Sequence, residues 1–292
     1  MTREEQYDLL NYIFMGDFIT NLHVQALSGN PDNILPKGTT RYTISQRKLN
    51  NLKASGYVQE LEVDGFRTNC PTQKRYYVRT KAGSEFDGLP YKPHVNKDRR
   101  PQLWEHDHLL NDWIFHFYRR FAQEHGLTFD NLPKFKFKLP DGSTTKVADS
   151  ALIIDDYVFI IEVERSRSES GIIREKLIPY SQVEDWTPYQ SYIIPGEKDY
   201  QPLREPFSKK VKILIITAHH NSDIFRRPWE FQTDEKAQRE AEMNRELMMK
   251  VVRNFPGGKR FLFTTAENFA DCDKAIWTRD GKNWESLMPK LK

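Results

Sequence analysis

Two cysteines, Cys70 and Cys272, are the only thiols in this 292-residue chain. They are too few and too far apart for a disulfide framework or for the paired spacing of a zinc site. No apolar run approaches the roughly 20 residues needed to span a bilayer. The opening MTREEQYDLL is acidic and amphipathic, unlike a signal peptide. These absences lead us to expect a cytoplasmic protein without membrane contact. A Gly-rich phosphate loop is missing, which removes support for an ATPase, and so is the nucleophile elbow of the serine hydrolases. The hydrophobic fraction is low at 38%, yet 13% aromatics and regular apolar segments argue against general disorder.

The length favours two domains, each able to bury a core. The net charge of +3 is unevenly placed: residues 1–100 hold 15 Lys and Arg against 11 Asp and Glu, and the rest hold 29 against 30. A basic excess confined to the first third fits an anionic partner there, although ordinary surface variation gives differences of this size.

In that first third, EEQYDLLNYIFMGDFIT puts Tyr7, Leu10, Ile13 and Phe14 on one helical stripe ended by Gly16. Thr20 can cap a second helix through Leu27. After a Pro/Gly loop, TISQRKLNNLKASGYV offers Thr43 or Ser45 as a cap, a buried stripe of Ile44, Leu49 and Leu52, and Gly56 as the stop. YVQELEVDGF alternates as a strand turning at Asp64-Gly65, and KRYYVRT is its return. Three helices and a hairpin, residues 1–88, are the order of a winged helix-turn-helix.

The third helix leaves Arg41, Ser45, Gln46, Arg47, Lys48, Asn50, Asn51 and Lys53 as candidate DNA contacts. Arg and Lys suit phosphates, while Gln and Asn suit base edges. Lys74 and Arg75, with Arg67 and Arg79, would add phosphate contacts from the wing. The competing reading is a solvated amphipathic helix, since charged outer faces are the norm. Residues 89–101, rich in Pro, Lys and Arg, read as a linker.

From residue 102 onward the pattern gives a long helix, then FKFKL, KVADSALII and YVFIIEVE as strands, then a helix from about Ser168 to Asp185. VKILIIT, a helix from Glu235 to Arg253, and RFLFTT follow. The fold expected is α+β, with helices flanking a mixed sheet. Within it, VADSALIIDDYVFIIEVERSRSES sets Asp149, Glu162 and Glu164 among apolar strand residues, where an ionised group loses hydration unless a cation or donors replace it. A turn at Asp155-Asp156 would bring Asp149 level with Glu162, and alternation puts Glu162 and Glu164 on one face. Converging carboxylates repel unless one is protonated or a cation joins them, and oxygen ligands select Mg²⁺ or Mn²⁺. Lys176 and Tyr180, four apart in IIREKLIPYSQ, share a helix face.

Asp149 followed across a hairpin by Glu162-Val163-Glu164 resembles the PD-(D/E)XK nuclease superfamily, with Glu164 in the place of the lysine. The resemblance implies an αβββαβ core and a Mg²⁺ or Mn²⁺ held by Asp149, Glu162 and the carbonyl of Val163. It implies Glu164 at the last motif position and Lys176 as the lysine moved to the following helix. An acidic residue on the first helix would be Glu105, with Asp107, Asp112 and His106 as competitors. A second resemblance covers about residues 5–220. RKLNNLKASGYV, RYYVRTKAGSEF, LWEHDHLLNDWIFHF and ADSALIIDDYVFIIEVERSRSESGIIREKLIPY, in this order, resemble the replication-relaxation family of plasmids and other mobile elements. It implies DNA as the partner, a replication or mobilisation protein beside it, and either phosphodiester cleavage or a non-catalytic accessory role.

Other features have plainer readings. His219-His220 are strand neighbours that face opposite ways, and His106 and His108 do not share a helix face. EKAQREAEMNRELMM is an amphipathic helix that packs on the sheet, its Met residues offering at most a surface for a homodimer. KAIWTRDGKNWESL suggests a hairpin turning at Asp280-Gly281.

Overall fold

The structure is a computed structural model, and it describes residues 1–16, 18–27, 40–62, 75–89, 91, 101–117, 119–121, 129–137, 148–154, 157–165, 170–181, 190–192, 201–202, 210–218 and 235–287. The fold is mixed α+β and divides into two compact units, the first reaching Phe115 and the second beginning at His116. The expected linker at 89–101 therefore does not mark the division, which falls inside a helix.

The first unit contains α1 (Arg3–Gly16), α2 (Asn21–Leu27), α3 (Thr40–Ala54), the antiparallel pair β1 (Val58–Glu62) and β2 (Arg75–Arg79), and α4 (Lys81–Asp87). It also takes most of α5 (Pro101–Phe117). Thr20 caps α2 as expected: its Oγ1 accepts the His23 N–H, and its own N–H donates to His23 Nδ1. Gly56, at φ +74°, ends α3 with the Tyr57 N–H on the Leu52 carbonyl and the Gly56 N–H on that of Lys53. The turn expected at Asp64-Gly65 lies outside the described residues.

α5 joins this unit because its buried face is polar as well as apolar. Asn111 donates to the Phe18 carbonyl, and Asp112 receives His23 Nε2 at 2.7 Å with both side chains fully buried. Since His23 Nδ1 already accepts from Thr20, Nε2 carries the proton and the imidazole is neutral; burial holds it down at about 3 and lifts Asp112 to about 7. His108 approaches the other Asp112 oxygen at 3.4 Å, while His106 faces Asp107, so the two histidines have separate carboxylate partners.

The second unit is built on a nine-stranded sheet, in the order β11-β10-β9-β8-β5-β4-β3-β6-β7. Its strands are β3 (Phe129–Phe137), β4 (Ala148–Ile154), β5 (Tyr157–Glu164), β6 (Gln190–Tyr192), β7 (Gln201–Pro202), β8 (Lys210–Thr217), β9 (Phe261–Thr265), β10 (Trp277–Thr278) and β11 (Trp284–Glu285). β3, β4 and β5 are antiparallel; β5, β8 and β9 are parallel. α6 (Ser170–Ser181) follows β5 and α7 (Glu235–Val252) follows β8. With β5, β8 and β9 side by side and parallel, both helices pack on one face of the sheet. Ile173, Leu177 and Tyr180 of α6 and Met248 and Val252 of α7 accordingly share one core with Val158, Ile160, Ile213, Ile215 and Phe263.

The apolar runs of β5 and β8 follow from burial on both faces, since Phe159, Ile161, Leu214 and Ile216 on the face opposite the helices are buried as well. β6 and β7, in a region with no strand expected, extend the sheet beyond β3. At the far end β10 and β11 pair as expected, with Gly281 at φ +75° and the Asp280 carboxylate taking the N–H groups of Lys282 and Asn283. Among the described residues no helix is long and apolar enough to cross a membrane.

Candidate functional site

β4 and β5 run in a register that pairs Ser150 with Ile161 and Ile154 with Tyr157, leaving only the two residues Asp155-Asp156, which lie outside the described residues, to connect them. Asp149 is the next position beyond Ser150 and faces Glu162. There the ladder gives way to a side chain: Asp149 Oδ2 accepts the Val163 N–H at 2.8 Å. The Glu164 carbonyl accepts from Ala218 N–H beyond β8. Backbone alternation therefore turns the Val163 carbonyl the other way, toward the Asp149 side.

Glu162 and Glu164 lie on the sheet face that α6 covers; Glu162 is fully buried and Glu164 nearly so. One helical turn on α6 brings Lys176 and Tyr180 onto them. Lys176 Nζ lies 2.7 Å from Glu162 Oε2 and also donates to Glu164 Oε1, while Tyr180 OH donates to Glu162 Oε1 at 2.5 Å. Both oxygens of Glu162 are thus engaged by one helix. Burial pushes Glu162 up to about 7; the Lys176 charge opposes this and the Asp149 charge adds to it. Burial alone would lower Lys176, but Glu162, Glu164 and Asp149 outweigh it and hold the ammonium above the ordinary lysine range.

The folded protein holds a proton on Glu162 more tightly than the unfolded chain does, so this group favours the fold at low pH and loses that contribution as pH rises from about 4.5 to about 7. Lys176→Met removes the opposing charge and extends that window upward. The variant is expected to melt higher at pH 5 than at pH 8, with a steeper pH dependence than wild type, as thermal melts across that range would read.

The sequence-derived carboxylates Asp149, Glu162 and Glu164 and the cation Lys176 therefore belong to one constellation. Arg165, the strand's next cation, is buried, and Lys146 lies outside the described residues. Glu105 is on α5 in the first unit, whereas the carboxylates are in the second. Among the described residues no three His, Cys, Asp or Glu groups converge as a metal cluster. What remains is an oxygen donor set of Asp149, Glu162 and the Val163 carbonyl. These are the oxygens at this strand end that could hold a hard divalent cation. The ammonium on Glu162 Oε2 already marks a cation position, and it must turn away for that oxygen to bind metal.

The candidate DNA-contacting residues of α3 separate into two groups. Arg47, Asn50 and Asn51 are exposed on one face. Ser45 is buried beside Leu49 and Leu52, taking the core place expected for Ile44, which is 40% exposed. The helix starts at Thr40, so neither Thr43 nor Ser45 is its cap. Gln46 donates to Tyr77 OH and Asn50 and accepts from Asn21. Lys48 pairs with Glu5, and Lys53 and Arg75 both pair with Glu60. Arg79 is buried against Asp87 at 2.5 Å and is not a wing contact. The side chain of Arg41 and all of Arg67, Lys74 and His219-His220 lie outside the described residues.

Comparison of the chain with protein-family models, curated proteins and solved structures gives no match in any of the three.

Proposed function

We propose that the chain is a DNA-binding protein of a plasmid or other mobile element, similar to replication-relaxation proteins. Its second unit we read as a PD-(D/E)XK nuclease-like domain that hydrolyses phosphodiester bonds with Mg²⁺ or Mn²⁺. The observation that carries this reading is Lys176: α6 delivers an ammonium to Glu162 and Glu164 beside Asp149, supplying the charge that Glu164 displaces from the motif. The order β3-β4-β5-α6, followed after β6 and β7 by β8 parallel to β5, supports the βββαβ part of that core, while most of α5 belongs to the first unit. Three helices followed by the β1-β2 pair support a winged helix-turn-helix in the first unit.

Asp149, Glu162 and the Val163 carbonyl would hold the cation. When bound, it would polarise the scissile phosphate and lower the pKa of a coordinated water. Lys176, kept protonated by three carboxylates, cannot serve as a general base near neutral pH and contributes through charge, stabilising the anion that develops at phosphorus. Tyr180 fixes the Glu162 carboxylate in one orientation.

A second reading rests on a different observation: both Glu162 oxygens are already taken, by Tyr180 and Lys176. It makes the protein a non-catalytic DNA-binding regulatory or accessory factor whose nuclease-like domain serves assembly or DNA-shape recognition. Calorimetric titration with Mn²⁺ together with plasmid nicking separates the two. Heat of binding with nicking supports the nuclease, and neither under any condition supports the accessory factor.

DNA binding itself is tested on α3. Arg47→Ala with Asn51→Ala is expected to weaken duplex binding by roughly 10-fold or more, at about 1–3 kcal/mol for each bidentate base contact, with an unchanged melting temperature. Equal affinities for wild type and variant would remove α3 from the interface.

A further inference from the structure

On the sheet face opposite α6 and α7, the end where β5 begins is lined by cations. Strand register brings most of them together: Tyr157 pairs with Lys210, Phe159 with Lys212, and Ile213 with Phe261, while Arg260, in the turn just ahead of β9, is close enough for its charge to act on Lys212. Thr278 pairs with Phe263, which places Arg279 on this same face. Tyr157 stacks on Phe159, and Lys210 Nζ sits 5.7 Å over the Tyr157 ring, so the side chains do share that face.

Lys212 is half-buried and makes no ion pair with a described carboxylate. Burial first, then the charges of Arg279, Lys210 and Arg260, hold its ammonium below the ordinary lysine range; Glu285 opposes them but is itself paired with Arg279 at 2.7 Å. Crowding cations around a partly desolvated ammonium is unfavourable, and an added anion relieves it.

We infer that this face, formed by Lys210, Lys212, Arg260 and Arg279, binds the phosphate backbone of duplex DNA. Two strand spacings across and four residues along, from Lys210 to the level of Leu214 and Leu262 where Arg279 lies, give a patch of roughly 10 Å by 13 Å, which spans three or four phosphates at one per 3.4 Å of axis on each strand. The aromatic rings here are not a base-stacking platform, because Tyr157 has Lys210 on its ring and Phe159 stacked on it. Single strands are held chiefly by such platforms, so the duplex is the better occupant. The surface lies seven residues of β5 from Glu164, roughly 23 Å, and on the other face of the sheet, so it anchors DNA apart from the carboxylates. The inference rests on reading the protein as DNA-binding.

The test uses the full chain with Lys210→Glu and Lys212→Glu together, measured by fluorescence anisotropy on a 40-bp duplex and on one of its strands between 50 and 300 mM salt. The slope of log affinity against log salt should become shallower by about 1.8, from two lost phosphate contacts at about 0.9 each. Duplex affinity should fall at least tenfold near 100 mM salt. Lys210→Gln with Lys212→Gln should reproduce the slope change with a wild-type melting temperature, and it decides the matter if the reversal variant does not fold. Unchanged slope and affinity, while Arg47→Ala still weakens binding, overturn this surface and leave the first-unit reading standing. A loss confined to the single strand overturns the duplex assignment, and wild type that binds no duplex overturns both readings.

Discussion

Lys176→Ala and Asp149→Ala should each lower Mg²⁺-dependent nicking of supercoiled plasmid by roughly 10²–10³-fold, the usual loss when one preorganised charge or donor is removed from a reacting centre. The two variants fail for different reasons. Asp149 is a metal-ligand candidate tied to Val163 N–H, so its loss should also abolish the heat of Mn²⁺ binding. Lys176 is not a ligand, and without its ammonium Glu162 Oε2 is freed for metal. Its alanine variant should therefore bind Mn²⁺ at least as tightly as wild type while failing to cleave. That split, metal affinity kept and turnover lost, is one that a purely structural lysine would not give. Lys176→Arg should not rescue, because a planar fork cannot replace a compact ammonium held between two carboxylates. Wild-type protein that neither nicks nor takes up Mn²⁺ leaves the accessory-factor reading in place.

Arg79→Ala should destabilise the first unit by about 3–5 kcal/mol, the cost of breaking a buried ion pair and leaving one charge behind. Arg79 is 4% exposed, pairs with Asp87, donates to the Leu89 carbonyl and lies 5.2 Å over the Phe14 ring. Burial already raises Asp87 above the ordinary carboxylate range, with the Leu89 N–H and Arg79 working against it; without Arg79 that burden is unrelieved. A loss of this size is a large part of a small unit's stability and should shift its melting temperature by more than about 10 °C. Arg79→Met with Asp87→Leu, which removes both charges, should recover much of it. Where the Arg79→Ala protein remains folded, its DNA-binding salt slope should match wild type. A wild-type melting temperature with a shallower slope would return Arg79 to the DNA interface.

Arg79 and Ser45 show where sequence reasoning about α3 and the hairpin failed. Arg79 ends the strand Arg75-Tyr76-Tyr77-Val78-Arg79, whose last four residues are all buried, so the two-residue period of a half-buried strand does not foretell its side. Only the position of Asp87, after the turn capped by Thr80 and into α4, made the core side tenable. Ser45 lies in the seam with Leu49 and Leu52 because the three stand at i, i+4 and i+7 on α3, whereas Ile44, five residues before Leu49, falls off that stripe and is exposed. Sequence alone offers Asp112 as a competitor to Glu105 for the acidic residue of the first helix of the nuclease-like pattern, whereas the structure uses Asp112 to hold His23, a partner 89 residues away.

Local signals in the sequence account for most of the helices and their glycine stops, the two-residue connection between β4 and β5, and the shared face of Glu162 and Glu164, but not for α4, β6 or β7. Each of the former follows from local periodicity, from the conformational freedom of glycine or from turn chemistry, and these act over a few residues. They also bring Lys176 and Tyr180 to one side of α6. Only the tertiary structure decided that this side lies on Glu162, and that Lys210, Lys212, Arg260 and Arg279 gather on the opposite face. Both depend on the parallel register of β5, β8 and β9, strands separated by long crossovers whose alignment is set by packing and by no neighbouring residue.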